Sequence, residues 1–373
     1  MKYKVLDIFS GCGGMSWGLY KSGFEVVGAL DNWAIALKTF GRNHPNAHIW
    51  EGDIREIDVN SVLSELNLKK GELDCIVGGP PCQGFSKNVP AIYRFFDDDR
   101  NQLFNNYLDY VEAIFPKVVV MENVAEIYNA FNGSIRTQII DRLEKLGYEV
   151  SVKVLFGPDF GIPQRRSRCF FFASRTKQKP VFPTPTHNKV SVENLFETSN
   201  KYISAWEAIS DLPSLENGGG EMESNYNSTP SNNFQHFMRN GTVVLSDHKT
   251  RKLTDIQFKR ICSISAGQGI ADLPEEIRPK GGYSGAYGRL DFTNVAPTIT
   301  RWVFHPGSGR YGHPRDNRLI TIREAARLQC FTDDFNFCGT YIEKAQQIGN
   351  AVPSLFMYNL APNIINCLQV ECE

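Results

Sequence analysis

Four short apolar runs within the first 80 residues share one rhythm: a nearly continuous hydrophobic stretch, then an abrupt polar or glycine-rich break. Val5-Leu6-Asp7-Ile8-Phe9 stops at Ser10-Gly11-Cys12-Gly13-Gly14, and residues 15–22 take up helical spacing. Residues 25–30 form the second run, ending in Asp31-Asn32-Trp33 ahead of a helix over 34–42; residues 49–54 form the third, with Asp53 near its end. Leu73-Asp74-Cys75-Ile76-Val77 is the fourth, halted by Gly78-Gly79-Pro80-Pro81. Strands that are apolar on both faces and alternate with helices need helices covering both sides of the sheet. The pattern therefore predicts an α/β fold on a doubly wound, mostly parallel, Rossmann-like sheet.

The rhythm continues with a helix over 102–115, a buried strand over 117–121 that ends at Glu122-Asn123-Val124, a helix over 135–146 and a strand over 148–155. Gly161-Ile162-Pro163-Gln164-Arg165-Arg166-Ser167-Arg168 then leads into the apolar Cys169-Phe170-Phe171-Phe172-Ala173. From about residue 175 the texture changes to Pro-, Thr-, Gly- and Asn-rich stretches, with helical pattern only over 203–212 and 253–264. Regular patterning returns near 285. A helix opens at Arg323 with Thr321 placed as its N-cap, and an apolar helix over 355–368 closes the chain. These shifts divide the chain into a larger domain, 1–175 plus about 336–373, and a smaller, irregular one, about 176–335, whose region 176–285 is an insertion.

Composition narrows the function only a little. A net charge of −1 over 373 residues leaves a polyanion partner dependent on a local basic face. Lys249, Arg251, Lys252, Lys259 and Arg260 give the insertion such a local character, though solvated helix faces carry similar charge. Nine cysteines without a CxxC pair argue against a zinc site and a disulfide framework, and for a reducing cytoplasm. No apolar run reaches membrane-spanning length, and no signal-like segment precedes the first strand.

The chemistry-bearing residues sit at the breaks. Cys82 follows two prolines that fix the backbone, which suits a rigidly presented nucleophile and equally suits a small buried side chain. The glycine turn at 11–14 lets a ligand approach the backbone; Asp31, at the end of the second run, suits a ribose or the start of the next helix. A carboxylate such as Glu122 beside a buried strand must find a partner or take a proton, and the arginines at 165–168 supply candidates.

Taken together and in order, these blocks resemble the DNA cytosine-5 methyltransferases. Phe9-Ser10-Gly11-Cys12-Gly13 is similar to that family's cofactor motif, Gly79-Pro80-Pro81-Cys82-Gln83 to its nucleophile motif, and Glu122-Asn123-Val124 to its acid motif. Gln164-x-Arg166-x-Arg168 resembles its arginine motif and Gln347 to Val352 its closing block. The resemblance implies S-adenosylmethionine as cofactor, with S-adenosylhomocysteine as product, and double-stranded DNA as partner. It makes Cys82 the nucleophile toward cytosine C6, Glu122 the proton donor at N3, and Arg168 the ligand of O2, supported by Arg166. In the implied cofactor site Phe9 packs on the adenine, Asp31 binds the ribose, Asp53 the adenine amino group, and Trp33 the other adenine face. Gly11 and Gly13 leave room for the methionine part, and Asn350 holds its carboxylate; Asp7, Gly14, Asn32, Ile54, Pro80 and Val352 complete the set. Gln83, Ser86, Asn88, Arg289, Thr298 and Thr300 are the implied DNA contacts, with the loop over 83–99 closing on a flipped-out base. The small domain is then the target-recognition domain. A monomer in the bacterial cytoplasm, paired with a restriction endonuclease for the same site, completes the expectation. One branch of the resembling family methylates tRNA with the same cysteine motif, so an RNA substrate is one rival reading and a non-catalytic DNA-binding role the other. That branch's Cys-Phe-Thr tripeptide occurs here as Cys330-Phe331-Thr332, but after the Arg-Leu-Gln helix and so as a coincidence.

Overall fold

The computed structural model describes residues 2–81, 103–189, 200–282 and 284–369. The alternation in the sequence becomes β1 (Lys4–Ile8), α1 (Gly14–Lys21), β2 (Glu25–Asp31), α2 (Ala34–Asn43), β3 (His48–Glu51), α3 (Val59–Glu65), β4 (Cys75–Gly78), α4 (Leu103–Ile114), β5 (Val118–Val124), α5 (Ser134–Lys145), β6 (Glu149–Phe156) and β7 (Ser167–Ser174). The strands form one sheet in the order β3-β2-β1-β4-β5-β7-β6. β1, β2, β3, β4 and β5 pair in parallel, as the pattern predicts. β7 runs antiparallel to both of its neighbours.

Side chains alternate across the sheet, so β1 splits its residues between two layers. Leu6 and Ile8 join a buried cluster with Ile76, Val119, Met121, Tyr107 and Ile139. Asp7 lies on the opposite face and accepts a hydrogen bond from Ser16 of α1 at 2.5 Å. β5 is longer than the apolar run suggests. Its pairing with β7 carries the ladder through Glu122↔Phe170, Asn123↔Cys169 and Val124↔Arg168, so Glu122 lies within the strand and not after it.

The chain divides into two compact units: Met1–Phe156 with Ser167–Thr184 and Ser354–Glu373, and Gly157–Arg166 with Pro185–Pro353. The second unit holds β8 (His187–Asn188), β9 (Asn200–Lys201), α6 (Ala205–Ile209), β10 (Gly220–Asn225), α7 (Asn233–Arg239), β11 (Val244–Lys249), α8 (Asp255–Cys262), α9 (Ile322–Leu328) and α10 (Tyr341–Asn350). Residues 336–353, placed with the larger domain on sequence pattern, group with this second unit. Gln329, just after α9, donates to the Ile348 carbonyl of α10 at 2.5 Å, and Gln347 donates to the Cys338 carbonyl at 2.9 Å. α11 (Ser354–Leu368) belongs to the first unit and packs on α1, where a Cβ at Gly18 would lie 2.1 Å from the Ser354 carbonyl oxygen.

Thr321 caps α9 as expected, in a capping box with Glu324. Every residue of this helix is buried. Its polar members are satisfied by a dense network: Arg318 forks onto Glu324 at 2.8 and 2.9 Å, and Arg327 bonds to both Asp211 and Asp333. His313 lies beside it with Nδ1 accepting from the Asp316 amide at 2.8 Å, and Glu324, Asp316, Arg318 and Arg315 surround the ring. Burial holds its pKa down to about 4. The unfolded chain binds this proton near 6.5, so His313 favours the folded state above that pH and the gain is lost as pH falls from 6.5 toward 4. The melting temperature is expected to drop between pH 7 and 5, and to drop less in His313→Gln; parallel calorimetric scans check this.

A candidate active site at the strand ends

Reversal of strand order between β1 and β4 makes a topological switch point, the place where sheets of this kind bind ligands in a crevice at the strand ends. The glycine turn leaves β1 there, and the Pro-Pro turn leaves β4, because Ile8 and Gly78 are direct neighbours in the ladder.

The turn after β1 is held in a conformation ordinary side chains avoid. Phe9 has φ +59° and donates its amide to the Leu30 carbonyl at 2.8 Å. Gly11 has φ +52°, and a Cβ there would meet nothing within 4 Å, so the glycine leaves open space on that side. Gly13, the N-cap of α1, has φ +95° and lies against Phe40. Asp31 braces the turn from β2: one carboxylate oxygen accepts from the Gly11 amide at 2.8 Å and the other from the Trp33 amide at 2.9 Å. Burial raises its pKa, while these backbone donors pull it down. A partly exposed acid beside an open glycine turn, with Phe9 partly buried next to it, fits an adenosyl ligand whose ribose offers hydroxyl donors.

Three residues of the implied cofactor set already have partners within the protein. Asp7 is buried at 1% exposure under the turn; burial, more than offsetting the Ser16 hydrogen bond, pushes its pKa up to about 7. It anchors α1 from below. Asp53 is bound by Arg55, whose Nε and Nη2 lie 2.9 and 2.5 Å from its carboxylate oxygens, and is held at about 2 by that partner. Ile54 is part of the hydrophobic core. Asn32 is exposed and Trp33 half-buried at the end of β2. Asn350 and Val352 belong to the second unit, Asn350 exposed at the last position of α10 and Val352 buried.

Cys82 lies outside the described residues, one position beyond Pro81, as do Gln83, Ser86 and Asn88 and the loop over 83–99. What surrounds that position is described. The carboxylate of Glu122 pairs with Arg168, Nε to Oε1 at 2.7 Å. Its other oxygen, Oε2, points at Gly79, where a Cβ would come within 2.9 Å. Asn123 donates from Nδ2 to the Pro80 carbonyl at 3.1 Å, tying the Pro-Pro turn to β5. Sequence pattern missed this clamp, although Asn123 lies in the quoted motif. Cys169 is buried nearby, its thiol pushed up to about 12 by burial and then by Glu122. Gly79→Ala is expected to push Glu122 off its line with Arg168 and to lower turnover at least tenfold with little change in melting temperature; a rate assay beside a thermal melt checks this.

In the second unit, the inferred functional arginines divide. Arg166 is buried and donates to the carbonyls of Ile299 and Gly349, at 3.0 and 3.3–3.4 Å, so it is a structural clamp there. Arg289 is also buried: its guanidinium donates to the carbonyls of His313, Ile261, Ile264, Pro314 and Asp316 and to the Asn317 side chain. A guanidinium fully used inside the fold is unavailable to DNA, and Arg289 is corrected to a structural role. Cys330-Phe331-Thr332 is buried at 0–1% exposure, so the tripeptide presents nothing to an RNA. Thr298 and Thr300 line an open cleft of about 400 Å³.

The sequence, compared with known families, matches the C-5 cytosine-specific DNA methylases over residues 3–366. The chain belongs to that family. It is 32% identical to the type II methyltransferase M1.HphI of Haemophilus parahaemolyticus over 98% of this chain and 87% of that one. M.NgoFVII of Neisseria gonorrhoeae is 33% identical over the same shares. Among solved structures, a prophage-encoded DNA modification methyltransferase of E. coli superposes with TM-score 0.77 at 24% identity, covering 99% of this chain and 100% of that one. The Spodoptera frugiperda DNMT2 superposes at 0.62 with 17% identity, over 98% and 100%. These two likenesses speak for the fold. Membership makes the chain a DNA cytosine-5 methyltransferase, and the switch-point crevice its candidate active site. Among the described residues no helix is long and apolar enough to cross a membrane.

Proposed function

We propose that the enzyme methylates C5 of a flipped-out cytosine within a specific duplex DNA sequence, through a covalent bond between Cys82 and C6, as the methylating half of a restriction–modification system. The observation that carries this reading is the fixed Glu122–Arg168 pair, with Oε2 aimed at the Gly79 turn that leads into Cys82. The names of its relatives support the restriction–modification setting.

Cytosine C5 is too weak a nucleophile to react unaided. Addition of the Cys82 thiolate to C6 pushes the ring electrons toward N3 and O2, where a proton from Glu122 and a donor from Arg168 receive them. The Arg168 contact holds the Glu122 carboxyl in place, and Glu122 acts from its protonated form when the base is bound. Phe9, Gly11 and Asp31 would hold S-adenosylmethionine, which when bound supplies an electrophilic methyl group for the electron-rich C5. A base then removes the C5 proton, the electron pair re-forms the C5–C6 double bond, Cys82 leaves as thiolate, and the N3 proton returns to Glu122. Because C6 is hidden in a stacked duplex, the target must leave the helix, which costs a few kcal/mol.

Duplex DNA carrying 5-fluorocytosine at the target tests this chemistry, since fluorine cannot leave C5 as a cation and the adduct is trapped. A stable protein–DNA species in the wild type that is absent from Cys82→Ala supports the covalent route; methyl transfer without any trapped species contradicts it.

A further inference from the structure

The segment Gln164-Arg165-Arg166 lies in the second unit with alternating directions, as extended backbone requires. Gln164 is fully buried, accepting from the Ile299 amide and donating to the Leu328 carbonyl and the Gln329 side chain. Arg166 is buried as well. Arg165, between them, is turned outward and exposed. Its backbone is held on both sides, its own amide donating to the Ala296 carbonyl at 2.8 Å and the Ala296 amide donating to Pro163 at 2.9 Å.

Arg165 lines the 400 Å³ cleft together with Arg310, Thr298, Thr300, Tyr311 and Asp291. Arg310 reaches it across two glycines. A Cβ at Gly288 would lie 2.7 Å from the Arg310 Cγ, and one at Gly269 would lie 3.5 Å from Nη2. Five buried arginines of this unit are consumed: Arg166, Arg289, Arg318, Arg323 and Arg327 all end on carbonyls or carboxylates. Among the described residues, no carbonyl or carboxylate accepts from the guanidinium of Arg165 or Arg310. Three hydroxyls join them, with Tyr311 bonding to Thr300 at 2.9 Å and to the Thr298 carbonyl at 3.2 Å. The one acid present, Asp291, is turned to its own loop, accepting from the amide and hydroxyl of Thr293 and the amide of Asn294. Two unpaired guanidiniums facing one open cleft with three hydroxyls on its wall are the arrangement that recognises a phosphate.

We propose that this cleft grips a backbone phosphate of the bound DNA, with Arg165 and Arg310 as its two positive ligands. The proposal rests on the DNA-methylating reading above and adds a positioning site to it. Phosphate contacts fix register without reading sequence, so this site orients the duplex and leaves base choice to other residues.

The test uses the full-length enzyme and a fluorescent duplex, with binding measured by anisotropy from 50 to 300 mM salt. Arg165→Gln, Arg310→Gln and the double variant are compared with Arg310→Lys, and thermal melts and S-adenosylmethionine binding are read beside them. Losing one shared phosphate lowers the slope of log affinity against log salt by about 0.9. The expected result is a drop of roughly tenfold or more in affinity in either single variant, equal for specific and unrelated duplexes. The double variant is no worse than about one phosphate's worth of slope, the Lys variant recovers the slope, and melts and cofactor binding are unchanged. Unchanged slope and affinity in folded variants overturn the proposal, as does a loss confined to melting temperature. A second arm titrates inorganic phosphate alone. Binding of it that Arg310→Gln abolishes, with DNA affinity intact, assigns the cleft to a free phosphate and overturns the DNA assignment. Absence of DNA methylation in the wild type would instead defeat the underlying functional reading.

Discussion

Glu122→Gln is expected to lower the rate of methyl transfer by about 10²–10⁴-fold, the usual contribution of a positioned proton-transfer group. The amide keeps the size of the carboxyl, so the space against Gly79 is preserved and the Pro-Pro turn stays where Asn123 holds it. The amide cannot pass a proton to N3, and it no longer opposes the charge of Arg168. Binding of the duplex and of S-adenosylmethionine is expected to change little, so the loss falls on kcat and not on KM. Single-turnover methyl transfer with saturating DNA measures it directly. Loss in KM alone would mean that Glu122 merely orders the site.

The largest stability effect is expected at a residue with no part in the chemistry. Arg327 is fully buried and bridges two buried carboxylates, Asp211 on one side and Asp333 at 2.7 Å on the other. Arg327→Leu would leave both acids in a low-dielectric interior with fewer partners. Asp211 would keep Arg239 at 2.7 Å, and Asp333 would keep the Tyr226 hydroxyl at 2.5 Å. Removing one member of a buried ion network costs about 3–5 kcal/mol. Urea unfolding followed by far-UV circular dichroism is the check; a loss below about 1 kcal/mol would show that the carboxylates escape to water. The triple variant Arg327→Leu, Asp211→Leu, Asp333→Leu is expected to recover part of the loss, because the penalty lies in the unpaired charge.

The parallel half of the sheet is legible because each βα step repeats one contrast, apolar run against glycine break. Strand direction is another matter: the residues of β7 read as a buried strand in either orientation, and only its pairing with β5 and β6 makes it antiparallel. That pairing puts Arg168 opposite Glu122, so the acid–arginine contact becomes visible only in three dimensions. Motif order points to Cys82, Glu122 and Arg168 but does not say which arginines are consumed by the fold. Arg289 and Arg165 look alike as charged letters; one is sealed by five backbone carbonyls and the other faces a cleft. Asp53 pairs with Arg55 two positions away, a local contact within reach of sequence reasoning. α10 was absent from the predicted elements although Thr340 and Glu343 form a capping box at its start, and α3, with seven residues, is too short for a helical period to stand out.

The measurement that tests the central claim most directly is transfer of labelled methyl from S-adenosylmethionine to unmethylated duplex DNA and, in parallel, to bulk tRNA, with wild type and Cys82→Ser side by side. Label at C5 of cytosine in DNA, lost in Cys82→Ser and absent from tRNA, is the predicted result. Undiminished label with Cys82→Ser, or label on tRNA alone, would contradict it.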